Sequence, residues 1–189
     1  GAFEYILETD GVTTAVEDAA PGGGDGNGDH TPDSLQDYVT SLTDSSIDQQ
    51  YVTLVVPTNS TLVAVAAPPN PSPSTSPAET EFPFGHLDFI VNNVATGEAT
   101  TVTLYLPDDT IVNNYYKFGP TSLDPVAHWY LFHFDGTTGA EFQTGVDGDT
   151  DPETIILHFG DGGRCADDVL VNGPLRHPCR PPIDPSRSR

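Results

Sequence analysis

The apolar positions change period along the chain, and each change marks an element. At the front, Phe3, Tyr5 and Leu7 alternate with Glu4, Ile6 and Glu8, which predicts a strand over residues 1–9. Asp10-Gly11 predicts a turn, and residues 12–20 read as a short helix or a loop. The stretch PGGGDGNGDHTPD is too rich in Gly and Asp for a regular element. Leu35, Tyr38, Val39 and Leu42 then fall at i, i+3, i+4 and i+7, which predicts a short helix over residues 34–42 capped by Asp33 or Ser34.

From residue 51 the period becomes two. YVTLVV and TLVAVA are strand-like runs around the turn signal Pro57-Thr58-Asn59. Residues 68–83 hold six prolines among Ser and Thr and must be irregular, an extended crossing inside one domain. LDFIV, TTVTLYL, residues 115–118, WYLFHF, residues 140–143 and TIILHF follow as a strand series, with DGTTG as a hairpin turn. Short strands at regular spacing with Gly, Pro and Asp turns predict an all-β fold. The expected architecture is an antiparallel β-sandwich, jelly-roll or immunoglobulin-like, with a closed barrel as the alternative. The expected organisation is an N-terminal strand (1–9), a calcium-loop segment with a short helix (10–44), the sandwich (45–180) and a basic tail (181–189).

Charge narrows the function classes. The 189 residues carry 28 acids against six bases, a formal charge of −22. Lys117 is the only lysine or arginine before Arg164. Nucleic-acid binding needs a basic footprint, so that class is excluded, and no stretch approaches the apolar length of a membrane-spanning helix. A self-repelling carboxylate surface calls instead for screening or for bound cations.

The spacing Asp25-x-Asn27-x-Asp29-x-Thr31-x-Asp33 with Gln36 fits a calcium loop. Oxygen ligands alternate so that a tight loop can turn them all inward, Thr31 supplies a backbone carbonyl, and Gln36 stands where a bidentate Glu usually closes the cage. His30 replaces the glycine of the sharp turn, and histidine accepts positive φ better than most residues. The competing reading is a solvated acidic turn. A fainter copy places Asp10 and Glu17 at equivalent spacing, two half-sites that could share ions. Asp161, Asp167 and Asp168, with Arg164 among them, form a second cation candidate or an Arg–Asp cluster, and Asp147, Asp149 and Asp151 read as a solvated turn. Cys165 and Cys179, in an export-like composition, are read as one disulfide.

The loop resembles the thrombospondin type 3 and dockerin-type calcium loops. VEDAAPGGGDGNGDHTPDSLQ, TVTLYLP, NNYYKFGP, HWYLFHFDGTTGAEF and TIILHFGDGGRCADDVLVNG are similar, in order, to the motifs of a bacterial surface-domain family called choice-of-anchor U. The resemblance covers most of residues 10–179. It implies a β-rich extracellular module of secreted or surface-anchored proteins, with no catalytic activity to carry over. The family tends to have glycine where Cys165 and Cys179 stand and aspartate where Ala166 stands. The paired exchange implies that the two backbones lie close, and a bridge closing about 15 residues would contribute about 3 kcal/mol.

Other chemistry is poorly supported. His128 and His133 lie five apart on a strand, and no G-x-S-x-G, H-E-x-x-H or C-x-x-C occurs. The aromatic run from Trp129 reads as core packing, with Trp129 as a candidate glycan contact. The expectation is a non-catalytic, calcium-stabilised extracellular or cell-surface module. Its partners would be copies of itself in a filament, where residues 2–8 complete a neighbour's sheet, or other surface proteins. The alternative is a carbohydrate-binding module or polysaccharide-active enzyme domain.

Overall fold

The computed structural model describes residues 10–43, 50–78, 80, 82, 84–107, 112–121, 123–144, 152–160 and 174–177. The strand expected at residues 1–9, the acidic turn expected at 147–151, Cys165, Cys179 and the expected basic tail lie outside the described residues.

The β-branched and alternating runs form the strands the period of two requires. The described strands are β1 (Val39–Thr43), β2 (Tyr51–Val55), β3 (Thr61–Ala66), β4 (Asp88–Asn92), β5 (Ala99–Tyr105), β6 (Tyr116–Gly119), β7 (His128–Leu131), β8 (Gly139–Thr144), β9 (Pro152–Gly160) and β10 (Leu175–His177). They make a five-stranded sheet in the order β1-β2-β5-β9-β8, a three-stranded sheet β10-β4-β3 and a ribbon β6-β7. Every described pairing between these strands is antiparallel. The fold is thus largely β, as expected, with several small sheets and short helices.

One apolar core joins these pieces. Val52, Leu54, Val102, Leu104, Ile155 and Leu157 of the five-stranded sheet pack with Leu62, Val65, Phe89, Val91 and Leu175 of the three-stranded sheet and with Phe132. Phe159 meets Phe89 edge-on at 6.3 Å and stacks on Phe132 at 5.7 Å. In β5, Thr100, Val102 and Leu104 are buried while Thr101, Thr103 and Tyr105 are half-buried. The proline-rich crossing between β3 and β4 stays irregular apart from one 3₁₀ turn at Pro73–Thr75, and the two strands it joins pair with each other.

The helix predicted over residues 34–42 does not form. A 3₁₀ turn at Asp33–Leu35 leads directly to β1, whose register pairs Val39 with Val55 and Thr43 with Tyr51. Leu35, which should have anchored the helical stripe, is 75% exposed. β-branched Val39, Thr40 and Thr43 favour the pleat, and pairing with β2 supplies the backbone hydrogen bonds a helix would have offered. The sheet therefore begins inside the segment assigned to the calcium loop. That segment also holds two single turns, α1 (Thr14–Glu17) and α2 (Pro21–Gly24). The second falls in the stretch expected to carry no regular element. Gly22, Gly23 and Gly24 there take φ of 75°, 80° and 88°, a left-handed run that only glycine sustains at low cost.

Candidate metal centre

β1 is buried on both faces, and polar side chains occupy part of each. Successive strand residues point to opposite sides of a sheet. Thr40 donates its hydroxyl to Asp10 Oδ2 at 2.8 Å, while Ser41 meets the acidic loop on the other side. Asp10 also caps the turn, its Oδ1 accepting the Val12 N–H at 3.0 Å. The structure thus separates Asp10 from the loop by the strand itself and gives it a structural role beside the core. Glu17, at the end of α1, is fully buried, and its Oε1 accepts the Ser41 N–H at 3.3 Å.

The loop from Asp25 to Gln36 coils on its own polar groups. Asp25 Oδ1 accepts the Asp29 N–H at 3.0 Å, and its Oδ2 accepts that of His30 at 2.8 Å. Asn27 Oδ1 accepts the Asp29 N–H at 3.1 Å, and Asp29 Oδ1 accepts that of Thr31 at 2.8 Å. Gly28 and His30 take φ of 73° and 72°, so the histidine does occupy the left-handed position the spacing assigned to it. Asp33 is fully buried; its Oδ2 accepts the Gly26 N–H at 3.0 Å and the Ser41 hydroxyl, which contacts the Thr53 hydroxyl at 2.6 Å. Gln36 closes the loop, its Nε2 donating to Thr31 O at 2.9 Å and to Asp29 Oδ1 at 3.3 Å.

Six predicted ligand positions are therefore gathered by one loop seated on β1 and β2. The electrostatics match that crowding. Desolvation pushes the Asp33 carboxyl above its ordinary value, and the charges of Asp25 and Asp29 push the same way, against the hydrogen bonds from Ser41 and Gly26. Asp29 is held below its ordinary value, chiefly by the Thr31 N–H. Asp33 Oδ1 and Gln36 Oε1 are buried oxygens with no hydrogen-bond partner among the described residues. A buried acceptor left so costs about 1–3 kcal/mol, and a cation bound at such an oxygen would satisfy it. Among the described residues, no group of three or more His, Cys, Asp or Glu side chains is placed to hold a metal ion. The candidate set thus depends on Asn27, Gln36 and the Thr31 carbonyl beside Asp25, Asp29 and Asp33, which is a hard-cation donor set.

No family model, curated protein or solved structure matches this chain.

The remaining expected positions divide. Asp161, Asp167, Asp168, Cys165 and Cys179 lie outside the described residues. Trp129 is half-buried, stacked on Phe82 at 5.3 Å and flanked by Phe118 at 5.1 Å, with its indole N–H donating to Ser72 O at 3.3 Å. No described helix is long and apolar enough to cross a membrane.

A second polar group was not anticipated. Lys117 on β6 is 1% exposed, and its Nζ lies 4.6 Å from the Phe132 ring centre and 4.9 Å from that of Phe159. Nearby, His177 Nε2 meets the Tyr115 hydroxyl at 3.2 Å and its Nδ1 meets Leu87 O at 2.9 Å. A carbonyl can only accept, so Nδ1 carries the proton and Nε2 receives the Tyr115 O–H. The sequence did hold a signal: Lys117 is the sole lysine of a chain with 28 acids, set in the strand-like NNYYKFGP.

Burial holds His177 well below the ordinary histidine range, and the Lys117 charge adds to the effect. The unfolded chain takes up this proton near pH 6.5, the folded chain only at lower pH. Between those values the unfolded state binds more protons, so stability falls as pH drops below about 6.5. The slope is at most about 1.4 kcal/mol per pH unit and ends once the folded state also protonates. Urea unfolding at pH 7.5 and 5.5 should show this loss, and His177→Phe, which keeps a ring against Phe89, should remove it.

Proposed function

We propose that this chain is a non-catalytic, calcium-stabilised structural module of a bacterial surface or secreted protein, its sheets closing as an antiparallel β-sandwich. The observation that carries the reading is the pair of buried, unpartnered oxygens, Asp33 Oδ1 and Gln36 Oε1, in a loop that also carries Asp25, Asn27, Asp29 and Thr31. Calcium would neutralise carboxylates that otherwise repel across a chain of charge −22, so binding and folding are linked. The sandwich reading is supported by the common core of the five- and three-stranded sheets. The extracellular placement rests on the order of motifs resembling the choice-of-anchor U family.

Calorimetric titration tests the metal. Ca²⁺ should bind at one loop with measurable heat, and Asp29→Ala should abolish it. Asp29 is exposed and holds only loop contacts, so the variant should still fold. No heat with the intact chain would end the proposal.

A further inference from the structure

The loop from Asp25 to Gln36 contains one junction with covalent chemistry of its own, Asn27-Gly28. A glycine has no Cβ to hinder approach to its backbone nitrogen. Gly28 is exposed, its N–H makes no hydrogen bond to any described residue, and no other group stands within 4 Å of the place a Cβ would take. Water and hydroxide therefore reach this amide.

The Asn27 carboxamide is held at both ends by Asp29. Its Oδ1 accepts the Asp29 N–H at 3.1 Å, a donor shared with Asp25, and its Nδ2 donates to Asp29 Oδ2 at 3.2 Å. A bond from a side chain to the residue two further on folds the carboxamide back across the residue between them, here Gly28. The Asp29 N–H also stays in place as negative charge develops on Oδ1, the kind of fixed donor that stabilises an oxyanion. An open nitrogen and a polarised carbonyl carbon thus adjoin in one exposed turn.

We propose that Asn27 is a self-modification site, at which the Gly28 nitrogen attacks Asn27 Cγ. Hydroxide takes the Gly28 proton and the N–Cγ bond forms. The Cγ–Nδ2 bond then breaks, and the leaving nitrogen takes a proton from water and departs as ammonia. Water opens the resulting five-membered imide. Opening at the new N–Cγ bond leaves aspartate. Opening at the original peptide bond leaves isoaspartate, whose main chain runs through Cβ and Cγ and is one methylene longer. Nothing is oxidised or reduced, and each product carries one more negative charge. The reaction needs no metal, so it stands apart from the calcium reading, although it alters a residue of the candidate donor set.

The test holds the intact chain in chelator at 37 °C, folded in buffer and unfolded in guanidinium chloride. Peptide mapping with fragmentation follows Asn27 and separates it from the other Asn-Gly step of the sequence, Asn172-Gly173. In the folded chain Asn27 should convert at no less than one third of the unfolded rate, with isoaspartate among the products. The folded rate should rise at least threefold from pH 7 to pH 8.5, because hydroxide begins the reaction. A folded rate below that third would mean that the loop shields the junction, and the proposal would fall. Conversion without isoaspartate, which excludes the imide, or a smaller rise with pH would overturn it equally.

Discussion

Calcium at a thousandfold excess over its dissociation constant should stabilise the folded chain by about 4 kcal/mol relative to chelator. For a chain of this size that is a rise of about 8–16 °C in melting temperature. The expectation follows from the loop's two deficits. Asp33 is fully buried and pushed toward protonation by its own burial and by two neighbouring carboxylates. Gln36 is also buried, with an amide oxygen that receives nothing. A hard cation supplies positive charge and accepts lone pairs from such oxygens. The comparison must be made in about 0.15 M salt, where exposed charges are already screened beyond about 8 Å. Mg²⁺ at equal concentration should do much less, because it demands a smaller octahedral shell and gives up water reluctantly. Asp29→Ala should melt close to the parent in chelator and gain nothing from Ca²⁺. Coincident melting curves in chelator and in millimolar Ca²⁺ would refute the calcium reading.

The strands were legible where one face is apolar and the other wet. The run TLVAVA and the strand Thr61–Ala66 coincide, and β5 buries the face its alternation marks. β1 defeated the same logic. Thr40 and Ser41 are fully buried because Asp10 and Asp33 reach them with hydrogen bonds, so the strand shows no polar face. What remained visible was an accidental helical spacing, to which Leu35 contributed while facing water. β10 escaped notice for another reason: three residues carry too little pattern, and their place is fixed by pairing with β4.

The candidate metal loop was legible because alternate oxygen donors and a left-handed position are local properties. Its seat was not, since Ser41 and Thr53 join it from β1 and β2. Lys117 illustrates the opposite limit. A lysine is expected at the surface, whereas the fold buries this one with its ammonium over the rings of Phe132 and Phe159.

The seat of the loop gives the second large effect. Gly26 lies flat on the sheet, where an added methyl would overlap the Thr53 and Ser41 hydroxyls and approach Asp33 Oδ2 to 3.0 Å. Neither hydroxyl is the end of a long side chain that can swing aside, and both are tied to Asp33 or to each other. Gly26→Ala should therefore lift the loop from β1 and β2 and leave buried Asp33, Ser41 and Thr53 without their bonds. Overpacking and unsatisfied polar groups each cost about 1–3 kcal/mol, so the combined loss should reach about 3 kcal/mol or more. That is a fall of about 6–12 °C in melting temperature. The variant also measures coupling. Groups in one hydrogen-bond network do not contribute additively. If the loop binds Ca²⁺ only when seated, the stabilisation by Ca²⁺ should shrink in Gly26→Ala although every ligand residue is intact. An unchanged calcium shift in that variant would mean that the loop gathers its ligands without the sheet, and the metal would then stabilise the segment from Asp25 to Gln36 alone.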